Sequence, residues 1–199
     1  MARTRAEARL LGDRLIAREG AAWDVARVAA ANLLLVLCAW IALPLPWTPV
    51  PITGQTFGVM LVAVLLGSRR GAFVLGLYLL EGFAGLPVFQ PFGAAGVLRL
   101  AGPTAGYLLS YPLAAYVIGW LVERRKDSSA ARLAGALLAG EAIIFALGCA
   151  WLGQVMRTGF AGALAGGLVP FLPGEGIKIA LVIAAVRGVE YAQGRAEHA

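Results

Sequence analysis

The chain has 199 residues, 60% of them hydrophobic, with a mean hydropathy of +0.78 and a formal net charge of +6. So large an apolar share excludes an ordinary water-soluble domain and points to an integral membrane protein. The basic residues fall in short clusters between apolar runs rather than along one polar face, which favours anionic lipid headgroups over nucleic acid as their partners.

The first 24 residues carry Arg3, Arg5, Arg9, Arg14 and Arg18 among Ala, Leu and acids. They lack the apolar centre and the cleavage site of a signal peptide and read as a cytoplasmic basic lead-in. No charge occurs from Val28 to Ser68, a length that needs two crossings, and PLPWTPVP at Pro44 to Pro51 divides it. Helix one is expected over Val25 to Leu43 and helix two over Thr56 to Leu66. After a GSRRG turn, helix three is expected to end near Phe83. Thr104 to Val122 and Leu133 to Met156 are each long enough to span about 30 Å of hydrocarbon. A sixth helix is expected from about Pro173 to Arg187, opened by a Pro-Gly signal. The expected fold is therefore all-α, a membrane domain of six helices over residues 25–187, some of them short, with a tail over 188–199.

Lys and Arg gather on the cytoplasmic side of membrane proteins. Six Arg lie up to Arg27, two at Arg69 and Arg70, four at Arg124, Arg125, Lys126 and Arg132, and two at Arg187 and Arg195. All of these fall on one side of the six-helix reading, so both termini are expected to be cytoplasmic. Arg99, Arg157 and Lys178 fall on the other side. There the chain presents three connections, Pro44 to Thr56, Glu81 to Thr104 and Arg157 to Lys178, all rich in Gly and aromatic residues and nearly free of charge. Non-helical backbone of this kind is tolerated where it is buried in protein or lines a cavity, so a pocket on the outer half is the economical reading.

Glu175 and Lys178 are spaced i,i+3 and share one face of a helix, where they present an acceptor and a cation to one ligand. The plain alternative is a helix-start carboxylate and a snorkelling lysine. Arg157 reads as an interface residue. Glu141 sits inside LLAGEAIIFALG, where a charged centre costs roughly 3 kcal/mol on insertion scales; it must be protonated, paired or near an end. Ligand chemistry and interhelical hydrogen bonding are both open to it. Cys38 and Cys149 lie in apolar runs without CxxC spacing and read as packing residues. Ala22, Ala26 and Ala30 form a small-residue row on helix one that admits close approach of another helix, within the protein or from outside.

Four ordered stretches, TPVPITGQT, LGSRRGAFVLGLYLLEGFAGLPVF, GPTAGYLLSYPLAAYVIGWL and PFLPGEGIKIALV, together resemble the BioY family across roughly Trp47 to Val186. These are the biotin-specific substrate-binding S components of energy-coupling-factor (ECF) transporters. The resemblance implies a six-helix S-component fold with a biotin pocket near the outer face, capped by the first loop. The family's acid and lysine at the start of helix six match Glu175 and Lys178, its polar residue after helix three matches Glu81, and its basic loop residue matches Arg99. Glu175 and Glu81 stand where the family pattern more often has Asp and Asn.

Biotin's chemistry suits these residues. Glu175 accepts from the ureido N–H groups, Lys178 or Gln55 donates to the ureido oxygen, and Arg99 pairs with the valerate carboxylate. Thr53 is a further polar candidate, and Trp47, Phe89, Phe92 and Tyr107 are candidate walls. The chain has no GxxxxGK[ST] loop, so ATP hydrolysis must come from elsewhere. The resemblance implies a membrane coupling subunit and a pair of ATPases as partners, docking of the coupling subunit on Ala22, Ala26 and Ala30, and no cofactor beyond biotin as transported ligand. An S component for another vitamin is the alternative within this class. An intramembrane enzyme lacks support, because the single His is His198 and there is no HExxH or GxSxG. A bare assembly scaffold leaves the outer polar residues without a task.

Overall fold

The computed structural model describes residues 21–94, 96–124 and 129–196. The basic lead-in up to residue 20, with Arg125, Lys126 and His198, lies outside the described residues. Helix α1 (Ala21–Trp40) is 20 residues long, about 30 Å, and ends where the proline-rich stretch begins. That stretch is a short antiparallel hairpin, β1 (Ala42–Leu45) with β2 (Thr48–Thr53), in the register Ala42 to Thr53, Leu43 to Ile52 and Leu45 to Thr48. The sequence reading gives no strand here. Pro44, Pro49 and Pro51 remove ladder donors and keep the pairing short and irregular.

Helix α2 (Gln55–Phe83) is interrupted at Gly67, whose φ of 77° lies in the left-handed region open to glycine. The run folds back on itself there. Gln55 Nε2 donates to Tyr78 Oη at 2.8 Å, although 23 residues of straight helix would separate them by about 34 Å. Its two arms, residues 55–66 and 68–83, correspond to the expected second and third helices. Glu123 holds the start of the second arm, accepting from Ser68 N at 2.7 Å and from Ser68 Oγ at 2.8 Å. Gly119 lets α4 cross directly against the Gly67–Ser68 backbone, where a Cβ would collide.

A short helix α3 (Val97–Ala101) leads to α4 (Ala105–Glu123) and α5 (Ala130–Met156). The Gly-rich stretch after Arg157, read from sequence as a connection, contains helix α6 (Gly159–Gly167). Helix α7 (Leu172–Ala196) outlasts its expected end near Arg187 and meets α6 at 50°. Helices α1, α2, α4 and α5 are long and apolar enough to cross a membrane, and the bent α6–α7 pair gives a fifth candidate span. Leu35, Met60, Leu75, Tyr78, Ile118, Leu137 and Ile144 form the centre of one continuous core among α1, α2, α4 and α5. Many large apolar side chains face outward, as for helices surrounded by lipid: Leu33, Leu37, Phe73, Leu109, Leu113 and Leu181 are all exposed.

Candidate functional site

One end of the bundle holds a cavity with about 550 Å³ of space between atoms, its open mouth included. Strand β2, the start of α2, the loop at Phe89 and Gln90, Arg99 of α3, and residues of α4, α5 and α7 enclose it.

The Pro-Gly start of α7 places Glu175 in the first turn and Lys178 one turn later on the same face. Lys178 Nζ donates to Glu175 Oε1 at 2.7 Å and to Thr56 Oγ1 at 2.9 Å, and Thr56 Oγ1 donates to Glu175 Oε2 at 2.6 Å. The side chains of Lys178 and Glu175 are only 14% and 8% exposed. This closed triangle joins α7 to the first arm of α2 and leaves Lys178 one free donor hydrogen. Beside it, Thr53 Oγ1 donates to Gln55 Oε1 at 3.2 Å, Gln55 Nε2 donates to Tyr78 Oη, and Tyr78 Oη donates to the Val88 carbonyl at 2.9 Å. That relay fixes the loop carrying Phe89 and Gln90 against the helices.

Arg99 is buried between this cavity and an adjoining vestibule lined by Pro44, Thr48, Phe92 and Leu98. Its Nε donates to the Ala94 carbonyl at 2.8 Å, and its Nη2 donates to the carbonyls of Gln90 at 3.1 Å and of Phe92. Among the described residues no carboxylate pairs with it. Burial pulls its guanidinium below the ordinary arginine value, which leaves it charged at any physiological pH. Tyr107 Oη donates to the Gly167 carbonyl at 2.8 Å, tying α4 to α6, and its ring stands edge-on to Phe145 as part of the wall.

Seven sequence-derived candidates, Thr53, Gln55, Phe89, Arg99, Tyr107, Glu175 and Lys178, therefore line one cavity. Three do not. Glu81 faces helix α1, where its Oε1 accepts from Asn32 Nδ2 at 2.8 Å. Trp47 sits at the turn of the β-hairpin and is 67% exposed. Phe92 lines the vestibule. Thr56, Gln90 and Tyr111 are lining residues that sequence reasoning missed. Thr56 stands directly after Gln55 in GQT, and Gln90 is the lone polar residue of VFQPF; both signals were present in the sequence. Arg157 adopts a left-handed conformation at the end of α5 and does not line the cavity. Ala22, Ala26 and Ala30 lie exposed on α1, one helical turn apart. Among the described residues, no group of three or more His, Cys, Asp or Glu side chains is placed to hold a metal ion.

A bundle of lipid-facing helices around a cavity with an ion pair on one wall and an unpaired guanidinium on another is a membrane-embedded binder of a small molecule with polar ends. Residues 9–195 match the BioY family, and the chain belongs to that family. It is 44% identical over 153 residues to the biotin transporter BioY of Thermotoga maritima, covering 77% of this chain and 86% of that protein. It is 36% identical over 165 residues to the biotin transporter BioY of Rhizobium etli, covering 79% and 86%. The crystal structure of the S-component for biotin from an ECF-type ABC transporter superposes with a TM-score of 0.75, covering 87% of this chain and 95% of that one. At 24% identity this likeness concerns the fold. These relatives are transporters rather than enzymes.

Proposed function

We propose that this chain is the biotin-capturing S component of an ECF-type transporter. The observation that carries the reading is the cavity itself, with Glu175, Lys178 and Thr56 on one wall and Arg99 on another. The ureido ring sits against the triangle, with its N–H groups on Glu175 and its carbonyl on the free donor of Lys178. The valerate tail runs toward Arg99, whose contacts with carbonyl oxygens leave its charge unneutralised. Thr53 and Gln55 border the ring, and Tyr107, Phe89 and Phe145 supply the apolar walls. Glu81 and Trp47 are left without direct contact to the ligand.

The two arms of α2 count as separate helices because Gly67 reverses the chain. With the α6–α7 pair taken as one crossing, the bundle has six; the distribution of Lys and Arg supports cytoplasmic termini, and the kinship with bacterial BioY proteins supports a bacterial-type inner membrane. The cavity then opens outward. Inward release requires work that this chain has no ATP-binding motif to supply, so a coupling subunit with ATPases completes the transporter. The exposed row Ala22, Ala26 and Ala30 suits close packing of that subunit against α1. Calorimetric titration of the purified chain tests the assignment: biotin is expected to bind one-to-one and riboflavin not at all. A preference for riboflavin, or heat with neither, would move the assignment to another ligand.

A further inference from the structure

Glu141 is 5% exposed and lies on α5 one turn before Ile144 and Phe145, which line the cavity. Neither of its carboxyl oxygens has a hydrogen-bond partner among the described residues. The charged groups acting on it are Glu175 and Lys178 of α7. Tyr111 of α4 interacts with both acids. Helix α6 carries no titratable side chain. On α2, Arg69 and Arg70 are exposed, Glu81 is bonded to Asn32, and Tyr78 is bonded to Gln55 and Val88. On α5 itself, Arg132 is exposed and Cys149 contacts Tyr107.

Two buried acids therefore feel one cation, which is bonded to Glu175 alone of the two. If both were ionised, one negative charge would be left uncompensated and buried, which is the most unfavourable arrangement open to the site. Two ionised carboxylates are also both acceptors, so no hydrogen bond can form between them. A single proton removes the excess charge and supplies the missing donor. We infer that Glu141 and Glu175 hold one proton between them, resting on Glu141, which makes Glu141 a positioning residue that keeps Glu175 ionised and paired with Lys178 at the cavity wall.

Loss of that proton adds a second negative charge beside Glu175 and draws Lys178 away from the triangle. Ligand affinity then falls as pH rises and Glu141 gives up its proton. This consequence rests on the biotin reading; the shared proton does not.

The test has two arms on the full chain in lipid nanodiscs. Infrared spectra without ligand at neutral pH are expected to show a deuteration-sensitive carbonyl band of a protonated carboxylic acid. It should vanish in Glu141→Gln and also in Glu175→Gln, where Glu141 becomes the ionised partner of Lys178. No band in the parent, or an unchanged band in both variants, overturns the inference. In the second arm, biotin binding is followed from about pH 6 to about pH 9; the parent should weaken by about tenfold per pH unit above the titration, and Glu141→Gln should stay flat. Identical profiles for the two proteins overturn the positioning role. A parent that shows the band but binds no biotin at any pH supports the shared proton and refutes the biotin assignment instead.

Discussion

Replacing Lys178 by Met keeps an apolar stem of similar length and removes the ammonium group. Nζ reaches Glu175 Oε1 at 2.7 Å and Thr56 Oγ1 at 2.9 Å, and the pair is too enclosed for water to replace the lost cation freely. A hydrogen bond from a charged donor contributes about 1.5–3 kcal/mol. Losing that bond to the ureido oxygen predicts binding weaker by about 10- to 150-fold, at roughly 1.4 kcal/mol per decade. A second loss adds to it, because Glu175 keeps Thr56 as its one partner in the triangle and is no longer held in place by the ammonium group. Calorimetry with biotin measures the effect, on protein shown to be folded by size-exclusion chromatography and thermal unfolding. A dissociation constant within threefold of the parent would refute the argument, since it would mean that the ammonium does not face the ligand.

Thr56→Val preserves shape but deletes the 2.6 Å donation to Glu175 and the acceptor for Lys178; a loss of about 1–2 kcal/mol, or about 5- to 30-fold in affinity, is expected in the same titration. Arg99→Gln should weaken biotin while changing the affinity for biotin methyl ester little. Equal losses for both ligands would show that Arg99 acts only by holding the Gln90–Ala94 loop. Glu81→Leu strands the Asn32 amide at a cost of about 1–3 kcal/mol in stability. It should lower the unfolding temperature in detergent and shift the biotin dissociation constant by less than threefold; a large loss of affinity would return Glu81 to the ligand site.

Hydropathy made the spans legible because lipid imposes it on every exposed helical face, and α1, α4 and α5 lie close to their expected positions. The reversal at Gly67 was legible too, since GSRRG combines a conformationally free residue with two charges that cannot enter the hydrocarbon. Helix α6 was hidden by its own composition: GFAGALAGG has the glycine content of a loop and forms a helix where it packs against α5 and Tyr107. The β-hairpin was hidden by its prolines, which argue against strands wherever a full ladder is needed. Within the site, the i,i+3 spacing of Glu175 and Lys178 fixed their common face without knowledge of the fold. Thr56, 122 positions before Lys178, could be joined to it only by the packing of α2 on α7. Glu81 bonds to Asn32, 49 positions away, and a polar residue at a helix end suits a ligand and a neighbouring helix equally, so its spacing could not decide between them.

The central claim is that the cavity between Arg99 and the Glu175, Lys178 and Thr56 triangle holds biotin. The most direct measurement is a structure of the purified chain with biotin bound. The account predicts the ureido ring within hydrogen-bonding distance of Glu175 and Lys178, and the carboxylate at Arg99. Biotin seated elsewhere, or in this cavity with its carboxylate on Lys178, would contradict it.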